Sequence, residues 1–176
     1  MQIRPANAED LKPCAMLDHS VTTDRVWQME TREEGGVLTT TFRVVDLPRE
    51  VEMAYPREGE GLLAAWHHRD EFLVAEEQGR ICGYVAMTAD PEHDIVWVGD
   101  LVVDRPMRRQ GVGTALLRSA GRWGLKEGLG WLTVGVKTKN HPAIAFCRAA
   151  GLTFCGYSDP YWPGRDIGLL FGAALR

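Results

Sequence analysis

Hydrophobic and polar positions fall into short, regular blocks from Phe72 onward. Apolar runs of strand length, rich in β-branched residues, cover 72–77, 80–90 and 95–103, and Gln78-Gly79 marks a hairpin turn. Apolar residues then recur at helical spacing over 111–127. The blocks that follow predict a strand at 131–136, a helix at 141–150 capped by Asn140, and strands at 152–157 and 166–175. This order predicts an α+β fold with one parallel crossover.

The first 71 residues give a weaker pattern. Segment 20–36 ends in Gly35-Gly36, which fits either the end of a helix or a hairpin turn, and segment 46–61 mixes charge with Pro and Gly, as in a loop or an extended arm. We expect no linker, and therefore one domain over 1–176. The elements predicted here are an edge strand at 1–5, a helix opened by Asn7 or Glu9-Asp10 and carrying Leu11, Cys14 and Leu17, a strand at 39–45 and a short helix at 61–70.

Composition narrows the class of protein. The chain has 45% hydrophobic and 25% charged residues, as in ordinary globular domains. Its formal net charge of −4 argues against a general nucleic-acid partner, which usually needs a basic face. No apolar run approaches the roughly 18 residues of a membrane span, and the N-terminus lacks the pattern of a secretion signal. We expect a cytoplasmic protein.

Cysteine and histidine positions predict no metal site. None of the cysteines forms a C-x-x-C pair, so buried free thiols in a reducing compartment are the simpler interpretation. His67 and His68 are adjacent and lack a further ligand at metal spacing. The four cysteines are Cys14, Cys82, Cys147 and Cys155.

A glycine-containing loop, DRPMRRQGVGT at 104–114, joins a predicted strand to a predicted helix. The first amides of a helix lack intrahelical partners and favour anions such as phosphate. A dinucleotide fingerprint fails at Leu116, and a nucleoside-triphosphate loop fails at Val136. Arg108, Gly111 and Gly113 instead satisfy R-x-x-G-x-G. The loop alone also fits a tight turn with surface arginines.

Two motifs together resemble the GNAT superfamily of N-acetyltransferases. The first joins a strand of the form L-x-V, with Leu101 and Val103, to the R-x-x-G-x-G loop. The second matches at Asn140, Ala143, Phe146, Gly151 and Leu152. The resemblance covers about 72–157, the expected cofactor-binding core. It implies a mixed, mostly antiparallel central sheet with a parallel, splayed strand pair flanked by helices.

The resemblance implies acetyl-CoA as the cofactor. In such proteins the amides of the loop hold the pyrophosphate, and backbone groups of the preceding strand pair with the pantetheine arm, which an asparagine also contacts. A backbone N–H can then polarise the thioester carbonyl. The implied cofactor-binding residues are Leu101, Val102, Val103, Arg108, Arg109, Gln110, Gly111, Val112, Gly113, Thr114 and Asn140.

Acetyl transfer to an amine also needs proton transfers. Asp100, just before Leu101, is the candidate base; the alternative is a structural acid paired with an arginine or an amide. The departing thiolate needs a proton, and the tyrosine that the family usually has after Phe146 is replaced by Cys147. A thiol is a weaker donor than a phenol, and Cys147 also fits a small buried residue. Tyr157, Tyr161 or water are alternative donors.

The acceptor is expected to be a primary amine of a small molecule. Four aromatic residues in the flanking segments are candidates for its pocket, which would suit a cationic amine if it were also acidic; the alternative is packing under loops. The layout of VGDLVVD, NHPAIAF, GLTFCGYSDPYW and DIGLLF resembles the streptothricin acetyltransferases, although Gly135 replaces an acidic residue usual in that branch. The four aromatic residues are Trp27, Trp66, Tyr161 and Trp162.

Two further hypotheses belong to other classes of function. Loss of the tyrosine at position 147 would also fit a catalytically silent acyl-CoA-binding sensor or interaction module. The long segment 20–68 could form a groove for a protein or peptide N-terminus, or close one. The resemblance also allows a homodimer, since members of the family often form dimers.

Overall fold

The computed structural model describes residues 1–53, 55, 60–162 and 166–176. Nine strands and four α-helices lie in these ranges. Short 3-10 turns at Ala8–Asp10 and Arg105–Met107 connect some of them. The strands are β1 (Gln2–Pro5), β2 (Val21–Glu34), β3 (Val37–Met53), β4 (Glu71–Glu77), β5 (Arg80–Asp90), β6 (Ile95–Val103), β7 (Trp131–Lys137), β8 (Thr153–Trp162) and β9 (Asp166–Ala174). The helices are α1 (Leu11–Ala15), α2 (Glu60–Trp66), α3 (Val112–Lys126) and α4 (His141–Ala149).

Seven strands form one sheet in the order β1-β4-β5-β6-β7-β9-β8. Every neighbouring pair is antiparallel except β6 and β7, which run parallel. Helix α3 makes the crossover between these two strands, because a parallel connection needs a segment long enough to return across the sheet. The predicted α+β class, the single parallel crossover and the order of elements from residue 72 are confirmed.

A long hairpin, β2–β3, forms a separate two-stranded sheet. Gly35 and Gly36 connect the strands and both have left-handed backbone angles, with φ of 57° and 79°, as a two-residue hairpin turn requires. Segment 20–36 is therefore a hairpin arm and not a helix. The predicted strand at 39–45 is too short. For 46–61 the extended arm is confirmed up to Met53, where β3 ends, and the loop interpretation is wrong over that stretch. Within the rest of that segment, 54 and 56–59 lie outside the described residues.

The N-terminal helix is shorter than its apolar spacing predicts. Asn7 caps the opening turn by accepting from the Glu9 amide, and α1 then ends at Ala15. Leu17 lies beyond the helix, although it still packs against a core cluster. Pro13 occupies the first turn of α1, where a missing amide hydrogen is tolerated.

Two clusters of buried side chains cover opposite faces of the sheet. Consecutive residues of β5 show this, since Val85 belongs to the first cluster and Tyr84 to the second. The first cluster includes Leu116 from α3 and Ile144 from α4, so these two helices cover that face. Leu62 of α2 belongs to the second. The ends of β6 and β7 therefore lie between two packed layers.

Candidate active site

Strands β6 and β7 separate halfway along their length. Ile95–Val98 pairs with Trp131–Val134, and the pairing between the two strands ends there among the described residues. A cavity of about 350 Å³ opens beyond this point, a volume within the usual range for small-molecule sites. Its lining residues are Val21, Met53, Tyr55, Val98, Gly99, Leu101, Val134, Gly135, Val136, Lys137, Lys139, Asn140, Ala143, Phe146, Cys147, Trp162 and Asp166.

A β-bulge at Gly99 lies at the same point. Val98 and Asp100 pair with consecutive residues of β5, so Gly99 is the extra residue in β6. Val98 belongs to the first core cluster, whereas Val102 belongs to the second, on the other face of the sheet. Because side chains of a regular strand alternate, residues 98 and 102 would otherwise share a face. The bulge therefore changes the face to which the side chains from Asp100 onward point.

Asp100 is buried behind this bulge. Its carboxylate accepts a hydrogen bond of 2.7 Å from the Tyr55 hydroxyl and one of 3.3 Å from the Arg69 guanidinium. The Asp100 side chain has 0% exposure, and it is not among the residues that line the cavity. The structure thus contains the arginine pair that the sequence left open as an alternative. The role of Asp100 as a base stays a prediction.

The predicted pantetheine strand borders the cavity. Leu101 lines it directly, whereas the Val102 side chain is buried in the second core cluster on the opposite face. The Val103 carbonyl is already used, since it accepts from Arg108 Nε at 2.9 Å. Asn140 also lines the cavity and caps α4, with Oδ1 accepting from the Ala143 amide at 3.0 Å.

Arg108 differs from its predicted role as a phosphate ligand. Besides the contact to Val103, its terminal nitrogens donate to the carbonyls of Ser20 at 2.8 Å and Asp18 at 2.7 Å. Partial burial lowers the pKa of the Arg108 guanidinium. The side chain therefore joins the end of β6 to the segment that enters β2, and each of its three donor nitrogens already serves a protein carbonyl.

The remaining loop residues before α3 are exposed. Arg109 and Gly111 both have left-handed backbone angles, with φ of 64° and 85°. The Gln110 side-chain amide donates to the Pro106 carbonyl at 2.9 Å, within the loop itself. Two left-handed residues two positions apart fold the chain tightly ahead of the helix. That geometry explains why a glycine is needed at position 111.

The first turn of α3 presents backbone amides at this loop. Val112 begins the helix and its side chain is buried, so the residue can offer a ligand only its backbone. Gly113 faces the ring of Phe146, to which an added Cβ would come within 3.3 Å. Thr114 is partly buried in the same turn. The first amides of this helix have no intrahelical acceptor, as a pyrophosphate site requires.

Cys147 lies on α4 and lines the cavity. Burial raises the pKa of its thiol to about 12. The thiol therefore holds its proton more tightly than an ordinary cysteine, whose pKa is about 8.5. This weakens its chemical case as the donor to a departing thiolate, a role that stays a prediction.

The structure places Tyr157 away from the cavity. Its hydroxyl hydrogen-bonds to the Thr40 hydroxyl at 2.9 Å, and its ring packs edge-on against Phe42 of the long hairpin. Tyr157 is not among the lining residues. Strand β8 borders the sheet beyond β9, so position 157 faces the hairpin instead of the gap between β6 and β7. The predicted catalytic role of Tyr157 therefore has no geometric support.

Tyr55 is a cavity residue that sequence reasoning missed. It lines the cavity and its hydroxyl contacts Asp100, although 45 positions separate the two residues in the chain. Around Tyr55 the sequence mixes charge with Pro and Gly, which gives no periodicity to mark a buried ring. Only the tertiary fold brings this phenol to the bulge.

The charge of the cavity differs from that of the acidic pocket that would suit a cationic amine. Among its described lining residues the carboxylate is that of Asp166, and Lys137 and Lys139 both donate to it. These hydrogen bonds lower the pKa of Asp166. Lys137 also lies over the Trp162 ring, 5.8 Å from its centroid. In the described part of the site, the lysines therefore outnumber the exposed carboxylate.

The four aromatic candidates divide between different environments. Trp162 lines the cavity, whereas Trp66 packs on Phe72 with ring centroids 4.6 Å apart. Trp27 borders a second cavity, of about 480 Å³, beneath the long hairpin. The Tyr161 hydroxyl lies only 2.7 Å from where a Cβ at Gly135 would stand. Glycine at this position of β7 thus makes room for the Tyr161 ring.

Two kinds of feature are absent from the described ranges. No group of three or more His, Cys, Asp or Glu side chains there could hold a metal ion. No helix in the same part of the chain has the length and apolar character to cross a membrane.

The fold and the cavity define the class of protein. The sequence profile of the acetyltransferase (GNAT) family matches residues 40–152, and the chain belongs to this family. It is an N-acetyltransferase that uses acetyl-CoA as its acetyl donor.

Several relatives share nearly the whole fold. The streptothricin acetyltransferase of Streptomyces lavendulae is 26% identical over 166 residues, covering 92% of this chain and 84% of that protein. The crystal structure of a nourseothricin acetyltransferase has a TM-score of 0.85 at 24% identity, with 99% and 98% of the two chains covered. A candidate streptothricin acetyltransferase from Bacillus anthracis str. Ames, solved with acetyl coenzyme A, has a TM-score of 0.76 at 17% identity, with 99% and 97% covered.

Proposed function

We propose that this chain acetylates a primary amine of a small molecule in the cavity between β6 and β7. The observation that carries the proposal is the coincidence of three features at one place. The parallel strands separate after Val98, a cavity of about 350 Å³ opens there, and the first turn of α3 ends the same strand-loop-helix unit. A ligand with a narrow acyl-thioester arm and an anionic group needs this combination, since the gap between the strands takes the arm and the helix start takes the anion.

The residues present fit acetyl-CoA. The edge of β6 beyond Val98 has no pairing with β7 in the described structure, so its backbone can pair with the amides of a pantetheine arm. Amides from Arg109 to Thr114 would hold the pyrophosphate, and Asn140 would contact the arm from the opposite wall. Arg108 is left out of this set because its guanidinium serves three backbone carbonyls. When bound, acetyl-CoA supplies an acetyl group activated as a thioester.

The acceptor side needs a group that removes a proton. An alkyl ammonium has no lone pair for attack, so a base must accept a proton from the amine. Asp100 is the carboxylate held at the bulge beside the cavity, and we assign it as the final proton acceptor. Arg69 holds this carboxylate in place, with its guanidinium 3.3 Å from Asp100 Oδ2.

Streptothricin is the first acceptor to test. Its support comes from the relatives, two of which carry streptothricin acetyltransferase in their descriptions. The lysines beside Asp166 make any cationic amine a demanding acceptor for this site, because like charges repel. We propose the cytoplasm as the compartment, because all four cysteines are free thiols, which suits a reducing environment.

The decisive experiment incubates the purified protein with acetyl-CoA and a panel of amines. The panel holds streptothricin, simple diamines, amino acids and a short peptide with a free N-terminus. Release of CoA and a product heavier by one acetyl group report transfer. Acetylation of streptothricin or another small amine, with the peptide unmodified, is the expected result.

Other outcomes separate the alternatives. Transfer to the peptide alone would assign the chain to protein N-terminal acetylation. Tight acetyl-CoA binding without transfer to any amine, at neutral or raised pH, would identify a silent acyl-CoA-binding module and refute the proposal.

A further inference from the structure

We propose that Tyr55 is the catalytic residue that meets the acceptor amine, and that Asp100 accepts the proton through it. The inference rests on the proposed function, because it assigns the proton transfer within the same cavity. It differs from direct catalysis by Asp100 in naming the phenol as the group in contact with substrate. Four observations lead to it.

The first observation is that Asp100 does not reach the cavity. Its neighbours Gly99 and Leu101 line the cavity, but the Asp100 side chain has 0% exposure. The bulge turns this carboxylate toward the face of the second core cluster. A substrate amine in the cavity therefore needs an intermediate group to exchange a proton with Asp100.

The second observation is that Tyr55 bridges this gap. Tyr55 is among the cavity-lining residues, and its hydroxyl donates to Asp100 Oδ1 at 2.7 Å, a typical length for a hydroxyl–carboxylate bond. Tyr55 therefore connects the lining of the cavity to the buried carboxylate. The phenol oxygen has lone pairs that can accept from an amine while its proton faces the carboxylate.

The third observation is that Arg69 fixes the carboxylate. Its Nη2 lies 3.3 Å from Asp100 Oδ2, and its Nη1 lies 3.4 Å from the Thr88 hydroxyl. The guanidinium lies directly against Gly99, where an added Cβ would come within 2.6 Å of Cζ. The two oxygens of Asp100 are thus divided, one toward Arg69 and the other toward Tyr55.

The fourth observation concerns the other groups around Tyr55. His19 lies beside it with ring centroids 5.5 Å apart, and Tyr84 lies behind His19. His19 Nδ1 is 2.6 Å from the Leu17 carbonyl, which can only accept, so Nδ1 carries the proton. Nε2 then pairs with the Tyr84 hydroxyl at 3.1 Å. Both ring nitrogens of His19 are therefore engaged, and the path from Tyr55 leads to Asp100.

The proton balance is simple. One N–H bond of the substrate ammonium breaks and that proton moves to Tyr55 Oη, which leaves the nitrogen with a lone pair. The phenol proton moves at the same time to Asp100 Oδ1. The phenol is neutral before and after, and the carboxylate becomes a carboxylic acid that later returns its proton to water. When the free amine bonds to the acetyl carbon, the C–S bond of the thioester breaks, and the departing thiolate takes the second amine proton and leaves as CoA thiol.

The test compares Tyr55→Phe, Asp100→Asn and the double variant. General acid–base groups contribute about 100-fold or more, so each single variant should lower kcat by about that factor near neutral pH. Because the two residues act as one unit, kcat of the double variant should be no lower than kcat of the less active single variant. The loss should shrink as pH rises and free amine becomes abundant. Affinity for acetyl-CoA, measured by calorimetry without acceptor, should remain that of the wild type.

Thr40→Val is the control, since it removes a hydroxyl that hydrogen-bonds to the Tyr157 and Thr31 hydroxyls on the hairpin, outside the cavity. If Tyr55→Phe is unstable because it removes the phenol's hydrogen bond to Asp100, the comparison is made between the double variant and Asp100→Asn. A Tyr55→Phe kcat within about threefold of wild type, or losses that multiply in the double variant, would overturn the inference. A wild type that binds acetyl-CoA but acetylates no amine refutes the proposed function itself, and this assignment with it.

Discussion

A cysteine at position 147 faces the cavity where the family resemblance implies a tyrosine. Burial raises the pKa of its thiol to about 12, and Cys14, in the second core cluster, has the same value for the same reason. At neutral pH both are almost entirely protonated, because their pKa lies far above the solution pH. The reactive form of a cysteine is the thiolate, so both the burial of these thiols and their raised pKa lower their reactivity.

The thiols should therefore differ in reactivity. A thiol-specific reagent at neutral pH should label Cys155 first, because it is exposed, and the buried Cys14, Cys82 and Cys147 slowly. Mass spectrometry of partly labelled protein identifies the modified residue. Raising the pH toward 12 should increase labelling of Cys147 only as the fold is lost.

Cys155→Ser provides the control, since it should remove the fast reaction and leave the rest unchanged. Rapid modification of Cys147 in the folded protein would contradict the expectation. Such a result would show that the thiol is accessible and gives up its proton readily. It would restore this residue as a candidate proton donor.

At the residue scale the sequence predicts the positions that local motifs define. Leu101 and Asn140, two of the predicted cofactor-binding residues, line the cavity, because strand register and a helix cap place them. The protein contacts of Arg108 could not be predicted, since its partners include carbonyls 88 and 90 positions away. Tyr55 has the same difficulty: its partner lies across the fold and no local pattern surrounds it.

At the scale of elements, protein contacts fix the position of the loop before α3. Arg108 donates to carbonyls of Val103, Ser20 and Asp18, and thereby ties β6 to the start of the long hairpin. Asp104 adds to this junction by accepting from the Asp18 amide at 3.1 Å. The loop geometry therefore depends on contacts that do not involve a ligand.

Replacing Arg108 should reduce stability. Arg108→Ala leaves three carbonyls without their charged donor and should lower the free energy of unfolding by about 2–3 kcal/mol. Arg108→Lys should cost nearly as much, because an ammonium cannot reproduce the fork of the guanidinium. Chemical denaturation measures both.

Arg109→Ala is the matched comparison, since Arg109 is exposed and should change stability by less than about 0.5 kcal/mol. Its effect should appear instead as weaker acetyl-CoA binding. One outcome would instead support a direct contact between Arg108 and phosphate. In that outcome both Arg108 variants are stable, Arg108→Lys binds acetyl-CoA like the wild type, and Arg108→Ala does not.

Element boundaries follow the sequence where one face is buried and the pattern is strong. Strands β5 and β6 have the predicted bounds, because apolar runs between turn residues mark them. The hairpin β2–β3 was missed in part because its strands pair with each other in a two-stranded sheet and are largely exposed. Exposed strands need few apolar residues, so the alternation of apolar and polar positions does not mark where they end.

At the scale of the whole molecule, the proposed cofactor site joins β6, α3 and α4 at the middle of the seven-stranded sheet. These elements come together only in the folded chain. A ligand that binds there should stabilise the fold by mass action. The site is thus coupled to global unfolding, and a melting experiment can report binding without any acceptor.

Acetyl-CoA at about 100 times its Kd should add about 2.7 kcal/mol to the free energy of unfolding. For a chain of this size that corresponds to a rise in Tm of about 5–10 °C. Gly113→Asp should abolish the rise, because it puts a carboxylate into the first turn of α3, beside the proposed pyrophosphate site. Differential scanning fluorimetry measures both proteins.

Gly113→Ala separates charge from bulk, since both variants add a Cβ within 3.3 Å of the Phe146 ring. The alanine variant should keep most of the ligand-induced rise even if its own Tm is lower. An equal rise in Gly113→Asp would remove this loop from the proposed pyrophosphate site.

The single extra residue in β6 has a consequence for variation of this chain. Before Gly99 the strand contributes its even-numbered side chains to one core, and after it to the other. Deleting position 99 would restore regular alternation and send every later side chain of the strand to the wrong side. A substitution alters one side chain, whereas this deletion would exchange two faces at once. Insertions and deletions in β6 should therefore be far rarer among functional variants than substitutions in β6.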